Sequence, residues 1–210
     1  VLYTDIVGST KYFKTHGDLS GRLMVRRHHD VTAKIIHEFR GSVIKSLGDS
    51  IMAYFVDPKD ALKSAISVQQ NYSVFNQVRN VSEQVHIRIS VHFGYGILEE
   101  NDIYGDVVNV TAKLTSLAEA DQIYISQEVY DTINDLKQLQ FELIDLSKRK
   151  NVPDGLIVYR VTWDETVKFD PIMTTILYIK PIWELAGDSF KTAWHNLVNG
   201  KNNLWREKSE

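Results

Sequence analysis

Apolar residues along the chain switch between a period of two and a period near 3.6, and the switches outline a mixed fold. The opening run Leu2-Tyr3-Thr4-Asp5-Ile6-Val7 reads as a strand, and Gly8-Ser9-Thr10 turns it into a helix-compatible segment. A short helix over 11–16 is interrupted by Gly17 and Gly21, and a longer one over 22–39 carries Val31, Ile35 and Phe39 on one face before Gly41 stops it. Two short β-branched or aromatic runs, 42–47 and 51–56, meet across Gly48-Asp49-Ser50. Glycine supplies positive φ there and aspartate tolerates the bend, so the segment predicts a hairpin. Asp57-Pro58 opens a helix whose stripe Ala61, Ala65, Val68, Tyr72 and Phe75 predicts a core face. A polar loop over 76–83 leads to a long strand over 85–97, with His86, Arg88, Ser90 and His92 on one face. A polar turn at 101–105, a helix over 106–119, a buried strand at 123–126 and a helix through 133 follow. Runs 141–146 and 156–163 close the pattern as a hairpin.

The order β-α-α-β-β-α-β-α-β-α-β-β predicts an α+β fold: a ferredoxin-like split βαβ sheet with helices on one face. The 210 residues suffice for one full core plus an appendage. Residues 167–210 hold three of the four tryptophans and two of the four prolines, a change of character that marks an extension beyond about residue 166. Within it Phe190, Ala193, Trp194, Leu197 and Val198 predict an amphipathic helix stopped at Asn199-Gly200. A net charge of −3 without a basic block gives no electrostatic footprint for nucleic acid or an anionic membrane. The absence of cysteine excludes disulfides, thiolate zinc sites and cysteine nucleophiles, and fits a reducing, cytoplasmic setting. No apolar run approaches the roughly 18–20 residues of a membrane span. Val1 already lies within the first strand, so an upstream segment carrying a sensor or membrane domain is expected.

Candidate chemistry starts from two aspartates. Asp5 stands at the end of a strand that would be central, and Asp49 at the hairpin tip could face it across a neighbouring strand. Two converging carboxylates repel unless a proton or cation sits between them, and hard oxygens suit Mg²⁺ or Mn²⁺ and phosphate chemistry. The backbone N–H groups of Gly8, Ser9 and Thr10 open a helix N-terminus, a ready site for phosphate oxygens. Asn109 and Lys113 lie one helical turn apart on a flank away from the buried stripe Val107, Val110, Leu114, Leu117 and Ala118, where they can address one substrate or simply face solvent. His28 and His29 point about 100° apart on their helix, which favours two solvated side chains over a metal pair.

Three pieces, Asp5-Ile-Val-Gly-Ser-Thr10, Gly41 with Lys45-Ser-Leu-Gly-Asp49, and Asp102-Ile-Tyr-Gly-Asp-Val-Val-Asn109, resemble in order and spacing the class III nucleotidyl cyclase catalytic domain, a likeness running from residue 1 to about 164. The resemblance implies a catalytic domain over 1–166 that makes cyclic AMP and pyrophosphate from ATP. It implies that Asp5, Asp49 and the Ile6 carbonyl hold two divalent cations, Mg²⁺ or Mn²⁺, one activating the ribose 3′-hydroxyl and one holding the triphosphate. It implies that Lys45 and Asp102 read adenine, that Asn109 orients the ribose, and that Lys150 in Lys150-Asn-Val-Pro153 touches the terminal phosphates. Lys113 stands where the family has a transition-state arginine, and Asn151 where it has a glycine. The family works as a head-to-tail dimer, so a chain with both half-sites implies a homodimer. The alternatives are a degenerate cyclase-homology domain that binds nucleotide or dimerises in a regulatory role, and a cyclase for GTP or a pyrimidine nucleotide.

Overall fold

The computed structural model describes residues 1–133, 136, 139–149 and 152–163. The boundary near 166, the helix expected over 190–198, and Lys150 with Asn151 lie outside the described residues.

The chain runs through β1 (Leu2–Ile6), α1 (Ser9–Glu38), β2 (Ser42–Leu47), β3 (Ser50–Tyr54), α2 (Pro58–Gln77), a 3₁₀ turn (Val81–Glu83) and β4 (Ile87–Val91). It continues through β5 (Ile97–Glu99), β6 (Asp102–Tyr104), α3 (Asp106–Leu117), β7 (Ile123–Ser126), α4 (Gln127–Ile133), β8 (Gln140–Leu143) and β9 (Val158–Thr162). Seven strands form one sheet in the order β2-β3-β1-β4-β7-β9-β8, and β5 and β6 form a separate two-stranded ribbon. β1 is flanked by antiparallel β3 and β4, while β4 and β7 run parallel, which gives the split βαβ arrangement expected of the pattern. Among the described residues no helix is long and apolar enough to cross a membrane.

Side chains alternate across β1, and each face meets a different layer. Leu2, Thr4 and Ile6 are buried on the face that carries α1 and α2, where Thr4 Oγ1 lies 2.8 Å from His28 Nε2 of α1. Tyr3 and Asp5 point the other way, beside Met52, Ser90 and Arg88. That second face is not bare. Ser90 Oγ donates to the Thr111 carbonyl (2.9 Å) and lies 2.5 Å from Thr115 Oγ1, which seats α3 there. The expectation of helices on one face is thus corrected: Thr111 and Thr115 complete the buried side of α3, their hydroxyls donate to the Val107 and Thr111 carbonyls one turn back, and Ser90 adds a polar tie from the sheet.

Other corrections are local. α1 breaks at Gly17 (φ 80, ψ 168), where the sequence predicts an interruption, whereas Gly21 lies within the helix with Phe13 packed on it, 2.5 Å from where a Cβ would stand. At its C-terminus the left-handed residue is Arg40 (φ 62), whose guanidinium donates to both oxygens of Asp60. Gly41 donates to the Ile36 carbonyl at 2.8 Å and is needed for space, since a Cβ would lie 2.5 Å from Phe55 Cζ and 2.8 Å from Ile36 Cγ2. The strand expected over 85–97 stops at Val91. Gly94 and Gly96 let the chain leave the sheet and press against Val107 of α3, and His92 is buried with Nδ1 2.8 Å from Ser126 Oγ. The turn placed at 101–105 is shorter: Glu100 (φ 46) and Asn101 (φ 65) make it, and Asp102–Tyr104 pairs as β6.

His28 also overturns its expectation. It is fully buried, sharing hydrogen bonds with Thr4, with Tyr72 OH (3.2 Å) and with Thr32 Oγ1 (3.3 Å). Burial, and secondarily the neighbouring His29, lowers its pKa to about 3, so it is neutral in the folded protein. The unfolded chain binds a proton at this site below about pH 6.5. Stability from His28 is therefore complete above that pH and lost as pH falls from there toward 3, with a slope approaching about 1.4 kcal/mol per unit. Urea denaturation between pH 7 and 5, above most carboxylate titration, should show a shallower fall in His28→Gln than in the wild type, the remainder coming from His29 and His92, whose pKa values burial also lowers. Gly41→Ala should lower stability by about 1–3 kcal/mol through overpacking against Phe55 and Ile36, measured by thermal melting.

Candidate active site

The sheet face under α3 gathers most of the residues singled out in the sequence. Asp5, next to the end of β1, is held from two sides. Arg88, opposite it on β4, donates through Nε (2.8 Å) and Nη2 (2.6 Å) to Oδ2, and the Ser50 hydroxyl donates to Oδ1 at 2.8 Å. The Asp5 side chain is only 17% exposed, so this compensation decides whether it can be charged there at all. The sequence pattern placed Arg88 on this face but gave no signal that it would pair with Asp5, because the pairing depends on the β1–β4 register.

Ser50 follows Asp49 directly, so the second aspartate sits one residue from the group that bonds Asp5. Gly48 (φ 64) occupies the first of the two turn positions, and Leu47 pairs with Ser50 across the tip. His29 of α1 lies near this tip. Its pKa is lowered by burial, against the opposing pull of Asp30, the Gly48 carbonyl and Asp49. Among the described residues no group of three or more carboxylates or imidazoles gathers as a ready metal cage. The available donors are two carboxylates and the carbonyl ending β1, all hard oxygens. That set fits Mg²⁺ or Mn²⁺, which take one or two protein carboxylates and complete their shell with water and phosphate oxygens.

Lys45 and Asp102 meet although 57 residues separate them: Nζ donates to both carboxylate oxygens, at 2.8 and 2.6 Å. β2 carries an irregularity between Val43 and Lys45 that pairs Lys45 with Met52, on the face of Tyr3. Asp102 opens β6, where its Oδ1 also accepts from the Ile103 N–H. The mutual hydrogen bond raises the lysine pKa and lowers that of the aspartate, so both are charged. Tyr3 lies close by, its hydroxyl pKa raised by burial and modulated by both charges.

α3 stands over the same face. Asn109 is exposed and Lys113 half-buried on its flank, one turn apart, with the apolar stripe turned inward as expected. Gly8 is the N-cap of α1 and Ser9 and Thr10 form its first turn, where backbone N–H groups have no carbonyl one turn back to receive them. The Val7 N–H is taken by the His86 carbonyl at 2.8 Å, which ties this turn to the end of β4.

Residues 1–158 match the family model described as the adenylate and guanylate cyclase catalytic domain. The chain belongs to this family. Among curated cyclase relatives, the putative adenylate cyclase 3 of Rhizobium meliloti is 23% identical over 163 residues, covering 78% of this chain and 27% of that protein. The adenylate cyclase of Anabaena cylindrica is 26% identical over 180 residues, covering 77% and 36%. The chain thus spans about a quarter to a third of the length of these relatives. Among solved cyclase structures, the adenylate/guanylate cyclase/hydrolase of Silicibacter pomeroyi superposes with a TM-score of 0.68 at 26% identity, over 78% of this chain and 95% of that one. The adenylyl cyclase CyaB of P. aeruginosa gives 0.67 at 20% identity, over 80% and 95%. The α+β sheet described above is therefore the cyclase catalytic fold.

Removing the Arg88 charge would leave Asp5 poorly compensated in a largely buried position. Arg88→Met should cost roughly 2 kcal/mol in urea denaturation, and Arg88→Met with Asp5→Asn distinctly less than the sum of the single changes.

Proposed function

We propose that the chain is an adenylyl cyclase domain that converts ATP to 3′,5′-cyclic AMP and pyrophosphate as a homodimer with two divalent cations. The observation that carries this reading is the Lys45–Asp102 pair on the sheet face of Asp5 and Ser50. A lysine can only donate and an ionised aspartate can only accept. Adenine offers an acceptor at N1 and a donor at its exocyclic amine, whereas guanine offers the reverse at the corresponding atoms. The pair therefore favours ATP over GTP. The relatives' names, all adenylate cyclase among those given above, support the same choice.

Asp5, Asp49 and the Ile6 carbonyl would hold the cations, whose chemistry is to polarise phosphoryl oxygens and to ease loss of the 3′-hydroxyl proton. The N–H groups of Gly8, Ser9 and Thr10, together with Lys150, receive phosphate oxygens. Asn109 orients the ribose so that the 3′-oxygen lies in line with the α-phosphorus. Lys113 offsets negative charge as the bond to the departing pyrophosphate breaks. A lysine in place of arginine keeps the charge and loses the planar fork, which fits a slower enzyme better than a dead one.

The ribbon β5–β6 and the segment before it expose Phe93, Tyr95, Ile97, Leu98 and Tyr104 in one short stretch. A second copy meeting the first by two-fold symmetry would cover this surface, which supports the homodimer.

The test is an assay of the purified protein with Mn²⁺ and each of the four nucleoside triphosphates, products separated by chromatography. Cyclic AMP as the main product is expected. Cyclic GMP or a pyrimidine product would reassign the base, and no product from wild type or Lys113→Arg would leave a regulatory nucleotide-binding module. Asp49→Ala and Asn109→Ala should each lose activity by at least about 100-fold. Mixing the two should restore part of it, because one site of the mixed dimer contains neither change. Failure to restore activity while subunits are shown to exchange would place both residues in one chain's site.

A further inference from the structure

Arg40 and Arg88 each meet an aspartate through more than one hydrogen bond, and the two pairings differ. Arg40 spreads its bonds over both oxygens of Asp60: Nη2 donates to Oδ1 at 2.8 Å and to Oδ2 at 2.7 Å, and Nε donates to Oδ2 at 3.0 Å. A guanidinium fork commonly engages both oxygens of a carboxylate in this way. Arg88 departs from it. Its Nε (2.8 Å) and Nη2 (2.6 Å) both donate to Oδ2 of Asp5, while among the described residues Oδ1 accepts from the Ser50 hydroxyl at 2.8 Å.

The sheet imposes this division. Asp5 pairs with Arg88 of β4, and Thr4 pairs with Ile51 of β3, so one step further along the same antiparallel register Ser50 stands beside Asp5. Each neighbouring strand thus supplies a donor, and the carboxylate is pinned at both oxygens.

The lone pairs then decide what is left for a cation. An ionised carboxylate has about four acceptor positions, two on each oxygen. Arg88 fills both on Oδ2, and Ser50 fills one on Oδ1, which leaves Oδ1 as the oxygen open to an ion. A carboxylate can hold a cation through one oxygen or through both. Mg²⁺ and Mn²⁺ favour a near-ideal octahedron, which the narrow bite of two carboxylate oxygens distorts. The larger Ca²⁺ takes roughly six to eight oxygens and readily accepts both from one carboxylate.

We propose that Arg88 is a positioning residue that sets the choice of ion: by occupying Oδ2 of Asp5 it confines a cation to Oδ1 and selects Mg²⁺ or Mn²⁺ over Ca²⁺. The inference rests on the reading of Asp5 as a cation ligand, and it adds which oxygen binds and which residue decides the selectivity.

Ion binding to the full chain without nucleotide tests it, with Mn²⁺ read from the electron paramagnetic resonance signal of the free ion and Ca²⁺ from its displacement of bound Mn²⁺. The wild type should bind Mn²⁺ saturably and more tightly than Ca²⁺, and Asp5→Asn should weaken Mn²⁺ binding by at least about tenfold. Arg88→Met frees Oδ2 and should shift the ratio of the two dissociation constants toward Ca²⁺ by at least about threefold. The ratio is the readout because lost charge and lost stability act on both ions alike. Arg88→Lys keeps the charge, but a single nitrogen gives Oδ2 one bond, so the ratio should move in the same direction. Circular dichroism and the melting curve establish that each variant is folded, and Arg88→Lys carries the test if Arg88→Met does not fold. An Asp5-dependent Mn²⁺ site whose ion ratio is unchanged in the folded Arg88 variants, or a wild type that binds Ca²⁺ as tightly as Mn²⁺, overturns the role of Arg88 and leaves Asp5 as a ligand. No saturable Mn²⁺ binding, or binding indifferent to Asp5→Asn, overturns the ligand assignment and the inference with it.

Discussion

β1 is covered on both faces, so each polar group it carries has to be answered by a neighbouring element. Thr4 and Asp5 are adjacent and point in opposite directions, and the architecture around them follows from that. Thr4 is met by His28 of α1, which is met in turn by Tyr72 of α2. Asp5 is met by Arg88 of β4 and Ser50 of β3. Two neighbouring residues thereby fix two helices and two strands against one strand. The cost of leaving either group unpaired, about 1–3 kcal/mol for a hydroxyl and more for a carboxylate, makes slippage of the register expensive.

The same constraint separates the two sides of the sheet chemically. Under α3 the charges are compensated in pairs, Asp5 with Arg88 and Lys45 with Asp102. Between α1 and α2 a neutral histidine and a tyrosine are buried, and beside them two guanidinium groups stack on Phe75.

The ribbon β5–β6 gives the fold a different kind of economy. It leaves the sheet because Gly94 and Gly96 allow the chain to press on Val107, and in doing so it brings Asp102 back to Lys45 while exposing its own apolar residues. One excursion of the chain thus builds part of the candidate site and an exposed apolar surface.

Local sequence determined much of this. The hairpin around Gly48-Asp49, the α2 helix and its stripe, the inward face of α3 and the buried strand β7 depend on turn chemistry and on periodicity, which act over a few residues. The motifs placed Asp5, Asp49, Lys45, Asp102 and Asn109 in order, and the family they resemble is the family that matches. Tertiary structure alone decided the rest, because the deciding partners are distant in the chain. Arg88 finds Asp5 only through the β1–β4 register, and Ser90 ties α3 to the second face through the Thr111 carbonyl and the Thr115 hydroxyl. His28, which looks solvated by sequence, is buried because Thr4, Thr32 and Tyr72 supply its hydrogen bonds from three different elements. A polar residue is inside or outside according to whether a partner exists for it, and no local pattern carries that information.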